Sequence, residues 1–292
     1  MLRVGVVGVG RVAALLEEDL LREKPASHLG ALKSLSELFE VKALCDLNLG
    51  RVTAVAEKWK VENWYLSVEA MLERESLDVI SVCTPPESHA DIVMRVAKHE
   101  NRPSLIFCEK PIASDLHLAD AMVTVCRKYG VKLMVNHTRR WCPAYRHVKA
   151  LLEGGEIGRL LAFNGVFSGD VVNDGVHMAD LINWFQPEKY SVLNVKSPYL
   201  LFEVELIGSD GAIKILSNGE RFELYKPSES HRYQGVKELK PLRVLDVKYS
   251  FSKAIINAYK EAWMCVTQNR RPSVSGEEAI EALKECLKWK KH

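Results

Sequence analysis

The chain has 292 residues, 47% hydrophobic and 27% charged, a balance that excludes a disordered segment and supplies enough apolar residues for two cores. Its 40 Lys and Arg against 38 Asp and Glu leave a net charge of +2, which gives neither the basic footprint of a nucleic-acid binder nor a reason to expect an anionic membrane surface. Seven scattered cysteines with no Cys-x-x-Cys pair read as buried thiols of a reducing cytosol, so no metal site is expected and the expected partner is a small molecule in the cytoplasm.

In chain order, residues 2–7 form a valine-rich run that ends in glycines, followed by a leucine-rich, charged segment over residues 11–24 with a helical pattern. Strand-like runs recur at residues 40–45, 78–83, 104–108 and 131–135, with helical patterns over 27–38, 88–98 and 115–128 between them. Short apolar strands alternating with helices predict a parallel, doubly wound sheet, the α/β Rossmann type, over residues 1–135. No apolar stretch approaches the ~18 residues of a membrane span, so no membrane contact is expected.

After Asn136 the texture changes. A helix is predicted over 143–153, a longer strand over 159–167, and two strands over 199–207 and 212–217 flanking the hairpin Gly208-Ser209-Asp210-Gly211, then another over 221–225. Residues 251–269 read as one helix, and Ser275-Gly276-Glu277-Glu278 has the spacing of a capping box before another. The second domain, residues 136–292, is thus expected to be α+β with an open, mainly antiparallel sheet.

The turn Gly8-Val9-Gly10-Arg11-Val12-Ala13 carries the first chemical signal, because a diphosphate needs backbone N–H groups at contact distance and the positive end of a helix. Asp46 ends the second strand, where a carboxylate can accept both ribose hydroxyls of NAD and would repel the 2′-phosphate of NADP, which stays as the alternative cofactor. It lies 36 positions after Gly10, where about 20 is usual, so an insertion is expected near residues 20–29, where Pro25 breaks the helical pattern. Glu109-Lys110-Pro111 follows the strand-like run 104–108 and puts a lysine at the carboxyl end of the sheet, where a proton acceptor for an alcohol would meet the nicotinamide ring.

The motifs Gly8-x-Gly10-Arg11, Cys45-Asp46, Thr84-Pro85-Pro86-Glu87-Ser88-His89, Cys108-Glu109-Lys110-Pro111, Asn136-His137-Thr138-Arg139-Arg140, Gly155-Glu156-Ile157-Gly158 and Gly175-Val176-His177-Met178-Ala179-Asp180 occur in order over most of the chain. In this the sequence resembles the glucose-fructose oxidoreductase, inositol 2-dehydrogenase and MocA family. The resemblance implies an NAD(P)-dependent oxidoreductase acting on a sugar, cyclitol or related polyol, with a C-terminal sheet that joins copies into a homodimer or homotetramer. It implies cofactor contacts at Gly8, Gly10, Arg11, Val12, Asp46, Thr84, Pro85, His89, Glu109 and Lys110, and a cis Lys110–Pro111 peptide. Lys110 and His177 become the expected catalytic pair, and Asn173, Asp174 and Arg140 the expected substrate contacts. Two departures stand out: Asn173 occupies the place of the family's aspartate, with Asp174 one position later, and the second domain is short. They keep open an NAD-binding regulatory or scaffold protein without turnover, and the same scaffold leaves open a lyase or hydrolase that retains NAD.

Overall fold

The structure is a computed structural model that describes residues 1–290, and the chain divides into two compact units. The first comprises Met1–Trp141 and Phe251–Leu283; the second comprises Cys142–Ser250 and the residues from Lys284 onward.

The first unit is built on six parallel strands, β1 (Leu2–Val7), β2 (Phe39–Cys45), β3 (Asn63–Tyr65), β4 (Val79–Val82), β5 (Leu105–Cys108) and β6 (Lys132–Val135). Their order is β3-β2-β1-β4-β5-β6, so the order reverses between β1 and β4. β4 and β5 are buried at every residue, the pattern of strands covered on both faces. The crossovers are α1 (His28–Ser34), α2 (Leu49–Trp59), α3 (Val68–Arg74), α4 (Pro86–Lys98) and α5 (Leu116–Tyr129). Side-chain oxygens cap several of them, with Ser27 accepting from the Gly30 N–H and Asp115 from the Leu118 N–H.

The helix expected over residues 11–24 does not form. Gly10 O accepts from both Ala14 N and Leu15 N, and only a 3-10 turn, Leu15–Glu18, follows. Leu20 and Leu21 then point into solvent, so the leucine periodicity that suggested an amphipathic helix has no surface to bury against. The Glu17 carboxylate instead draws in the chain beyond Pro25, accepting from Ala26 N at 2.9 Å and Ser27 Oγ at 2.7 Å. His28 N and Leu29 N donate to the carbonyls of Val12 and Ala13, which docks α1 directly on the glycine turn.

The second unit contains α6 (Pro143–Glu153), α7 (Gly175–Phe185) and the strands β7 (Leu160–Ser168), β8 (Lys189–Val195), β9 (Phe202–Gly208), β10 (Gly211–Leu216), β11 (Arg221–Glu229) and β12 (Lys237–Leu245). The order is β12-β11-β10-β9-β7-β8, antiparallel except for the parallel pair β7–β8. Alternate burial along β9 shows one face covered and the other open, as expected of an antiparallel sheet. The hairpin at Ser209-Asp210 forms as expected, with Gly208 paired to Gly211.

Two helices complete the chain, α8 (Phe251–Thr267) and α9 (Gly276–Trp289). The boundary therefore differs from the expected 1–135 and 136–292, because Phe251–Leu283 returns to the first unit. Aromatic burial explains the return: Tyr259 of α8 is fully buried, edge-on to Phe107 at 5.2 Å and to Phe39 and His28 at 5.7 Å each. Val135 N donates to Val274 O, which covers the outer edge of β6. The capping box is present, with Glu277 N donating to Ser275 Oγ and Ser275 N to the Glu278 carboxylate.

Candidate active site

The carboxyl ends of β2, β1, β4 and β5, neighbours in the sheet, bring together Asp46, the glycine turn, Thr84 and Lys110. Gly8 holds φ +83°, and a Cβ there would lie 2.5 Å from Thr84 Cγ2 and 2.8 Å from Thr84 N. Glycine is required there because the β1 and β4 ends approach too closely for a side chain. Gly10 is different: a Cβ on it would meet nothing within 4 Å. Its backbone borders open space, which is the room a diphosphate needs at such a turn.

Asp46 is buried, and its two oxygens are organised by the loop beside it. Oδ2 accepts from Val9 N at 3.0 Å and Oδ1 from Asn48 N at 2.9 Å. Arg51 Nη1 approaches Oδ2 at 3.2 Å, so a half-exposed guanidinium adjoins the position expected for the adenosine ribose. Arg11 is exposed at the turn, while the Val12 carbonyl is taken by α1.

Thr84 Oγ1 accepts from Ser88 Oγ at 2.8 Å, and Pro85 is exposed at the start of α4. His89 is fully buried behind them, with Nε2 2.8 Å from Thr84 O and Nδ1 3.0 Å from Pro111 O. Its ring links the Thr84 and Lys110-Pro111 segments through their backbones, which makes it a brace for the site; its nitrogens are engaged by protein. The Lys110–Pro111 peptide is cis, as the resemblance implies.

Glu109 is also buried, and its carboxylate is the centre of a polar network. Oε1 accepts from His28 Nε2 at 2.8 Å and from the Asn136 amide, while Oε2 takes the backbone N–H of Lys110 at 3.3 Å. His28 Nδ1 lies 2.8 Å from Tyr259 Oη, itself 2.9 Å from Ser81 Oγ. Burial opposes ionisation of Glu109, but the His28 and Asn136 hydrogen bonds and the nearby Lys110 charge hold its carboxyl below the usual range. His28 and Tyr259 escaped the sequence reading, and Asn136 entered it only as part of a motif. No spacing rule could have paired residues 28, 109 and 259, although a histidine placed just after the proline break was a weak signal.

Arg140, in the 3-10 turn Thr138–Trp141, belongs with these residues to the first unit. Asn173, Asp174 and His177 belong to the second. There Asp170 shapes a tight turn, its Oδ1 accepting from Val172 N at 2.9 Å and Asn173 N at 2.7 Å. Asp174 Oδ2 accepts from Asp170 N at 2.9 Å, and Asn173 is exposed at the turn. His177 N donates to Asp174 O at 3.2 Å, which sets His177 in the first turn of α7, half-buried. Asp170 is the organiser that sequence reasoning missed; its side chain orders the loop on which Asn173 and Asp174 sit.

Residues 2–137 match the family model described as the Gfo/Idh/MocA oxidoreductase family, NAD-binding Rossmann fold. Among curated relatives, the chain is 34% identical over 173 residues to D-apiose dehydrogenase of Paraburkholderia graminis, covering 53% of this chain and 45% of that protein. It is 27% identical over 158 residues to myo-inositol 2-dehydrogenase of Thermotoga maritima, covering 54% and 42%. The chain thus spans about half the length of the curated relatives it matches. Among solved structures, the super-repressor mutant of Gal80p from Saccharomyces cerevisiae superposes with a TM-score of 0.80 at 14% identity, covering 99% of this chain and 95% of that one. That last likeness is one of fold. Residues 2–137 thus form a Rossmann domain of the Gfo/Idh/MocA family.

Proposed function

We propose that this chain binds NAD(H) and interconverts an alcohol and a carbonyl on a sugar, cyclitol or related polyol. The observation that carries the reading is the convergence of Gly10, Asp46, Thr84 and Lys110 at the carboxyl ends of adjacent parallel strands, where the strand order reverses. The residues fit the group: Gly10 leaves space for the diphosphate, and Asp46 offers a carboxylate for the ribose.

When bound, NAD supplies the acceptor or donor of the hydride. Around it Gly8, Gly10, Arg11 and Val12 would hold the diphosphate side, Asp46 the ribose, and Thr84 and Pro85 the nicotinamide side, with Glu109 and His89 bracing from behind. Lys110 Nζ would take the proton of the substrate hydroxyl in oxidation and return it in reduction. His177 would hold or protonate the substrate oxygen, and Arg140, Asn173 and Asp174 would bind other hydroxyls. NADP is the alternative cofactor, and Arg51 beside Asp46 is the group that would favour it.

Exposed Leu193 on β8 and Leu242 and Val244 on β12 support pairing of copies through the second sheet as a dimer or tetramer. Seven free, buried cysteines support a reducing cytosol as the location. Among the described residues no helix is long and apolar enough to cross a membrane. The exposed amide Asn173 favours a second reading, an NAD-binding regulatory protein without turnover, because an amide cannot act as a general base. A polyol and sugar panel with NAD, followed at the NADH absorbance, tests both: one oxidised substrate carries the first reading, whereas NADH binding with no substrate oxidised carries the second.

A further inference from the structure

His28 lies fully buried in α1, beyond the insertion, and the mechanism above leaves it unused. Both its ring nitrogens are engaged, Nε2 with Glu109 Oε1 at 2.8 Å and Nδ1 with Tyr259 Oη at 2.8 Å. The other oxygen of the same carboxylate accepts the backbone N–H of Lys110. One buried carboxylate is therefore shared between the His28 imidazole and the backbone N–H of the candidate catalytic lysine, whose charge also acts on it.

We propose that His28 is a positioning residue for the Lys110 chemistry: as the buried counter-charge of Glu109 it weakens the hold of that carboxylate on the Lys110 ammonium, which then gives up its proton more readily. The inference rests on the reading of Lys110 as the acid-base group. A carboxylate shared by two cations attracts each against the repulsion of the other. With His28 charged, the pair it forms with Glu109 is close to neutral toward Lys110; with His28 absent, Glu109 would act on Lys110 as a full anion.

The other titratable groups around the pair leave this balance intact. Cys83, beyond the end of β4, faces His28, and Cys108 at the end of β5 faces Glu109; burial pushes both thiols upward, so both are neutral near pH 7. Tyr259 on α8 is likewise pushed up by burial and keeps its proton. Burial opposes charge on His28 itself, while the hydrogen bond and charge of Glu109 act upward on it. The geometric ground for a charged imidazole is its 2.8 Å contact with the Glu109 carboxylate.

The test is competitive acetylation of the cofactor-free chain with isotope-coded acetic anhydride over a pH series, with Lys110 followed in its own peptide by mass spectrometry. His28→Gln should raise the pH of half-reaction of Lys110 by about one unit, leaving roughly tenfold less free amine near neutrality. Tyr259→Phe removes only the hydroxyl that serves Nδ1; it should move Lys110 the same way by less, and it decides the matter if His28→Gln does not fold. An unchanged or lowered Lys110 profile in the folded variants would reduce His28 and Tyr259 to core packing. NADH titration and Lys110→Ala turnover test the parent reading separately, since the acetylation needs neither cofactor nor substrate.

Discussion

Asp46 Oδ2 accepts the backbone N–H of Val9 at 3.0 Å, so the carboxylate that ends β2 is tied to the peptide between the two glycines of the turn. The residue proposed to read the ribose also fixes the loop proposed to hold the diphosphate. Arg51, 3.2 Å from the same oxygen, adds a cation next to them.

NADH should bind more tightly than NADPH, because a 2′-phosphate would meet the Asp46 carboxylate before it met Arg51. Arg51→Ala should widen that preference by weakening NADPH alone. Fluorescence titration of both reduced cofactors measures this, and equal or tighter NADPH binding by the wild type would overturn the assignment.

The two glycines separate folding from binding. Gly8→Ala should lower thermal stability by about 1–3 kcal/mol, since φ is +83° and the Thr84 backbone stands 2.8 Å from the added carbon. Gly10→Ala should melt like the wild type, with nothing within 4 Å of its new methyl, and still lose NADH affinity. A Gly10→Ala variant that binds NADH normally would put the diphosphate elsewhere.

Lys110→Ala should reduce turnover by about 10²- to 10⁴-fold while NADH binding survives, as expected when a general acid-base group is removed. Asn173→Ala should cost about one hydrogen bond, roughly 0.5–1.5 kcal/mol, and His177→Ala far more. Steady-state rates on a confirmed polyol give the comparison; unchanged turnover in Lys110→Ala would make that lysine structural.

Glu277, in the first turn of α9, is opposed by its burial, but hydrogen bonds from Ser275 and Arg127 hold its carboxyl down at about 2. A lowered carboxyl contributes stability above its unfolded value of 4.5, and that stability is lost as pH falls toward about 2. Glu277→Gln should therefore lower the melting temperature near neutral pH, and the gap from the wild type should close on acidification. Its half-exposed setting keeps the effect under about 1 kcal/mol. A gap that stays constant down to low pH would assign the stabilisation to something other than charge.

Five strands of the first sheet were legible because burial writes apolar runs, as at residues 104–108, and the glycine turn and Asp46 announce themselves by residue type; the three-residue edge strand β3, with no buried residue, was not. β8 and β12 were not, because most of their residues face solvent and leave no apolar signal. The segment over residues 11–24 misled for the opposite reason: Leu20 and Leu21 look like core and are exposed. At the site, Lys110 and Thr84 could be read from local motifs. His28 and Tyr259 could not, since their meeting depends on how α1 and α8 cross the sheet, and neither helix carries that direction in its own periodicity.

The contact between His28 and Tyr259 joins residues 231 positions apart. On a ribosome adding about 5–20 residues per second, the histidine waits some tens of seconds for its phenol. From the completion of β6 at Val135 until α8 is made, the first sheet has all six strands but lacks α8 and the cover over β6. The nascent chain is thus a half-closed sheet with an uncapped edge, a natural client for chaperones, and synonymous changes that slow translation of residues 142–250 should lower the yield of folded protein without altering one amino acid.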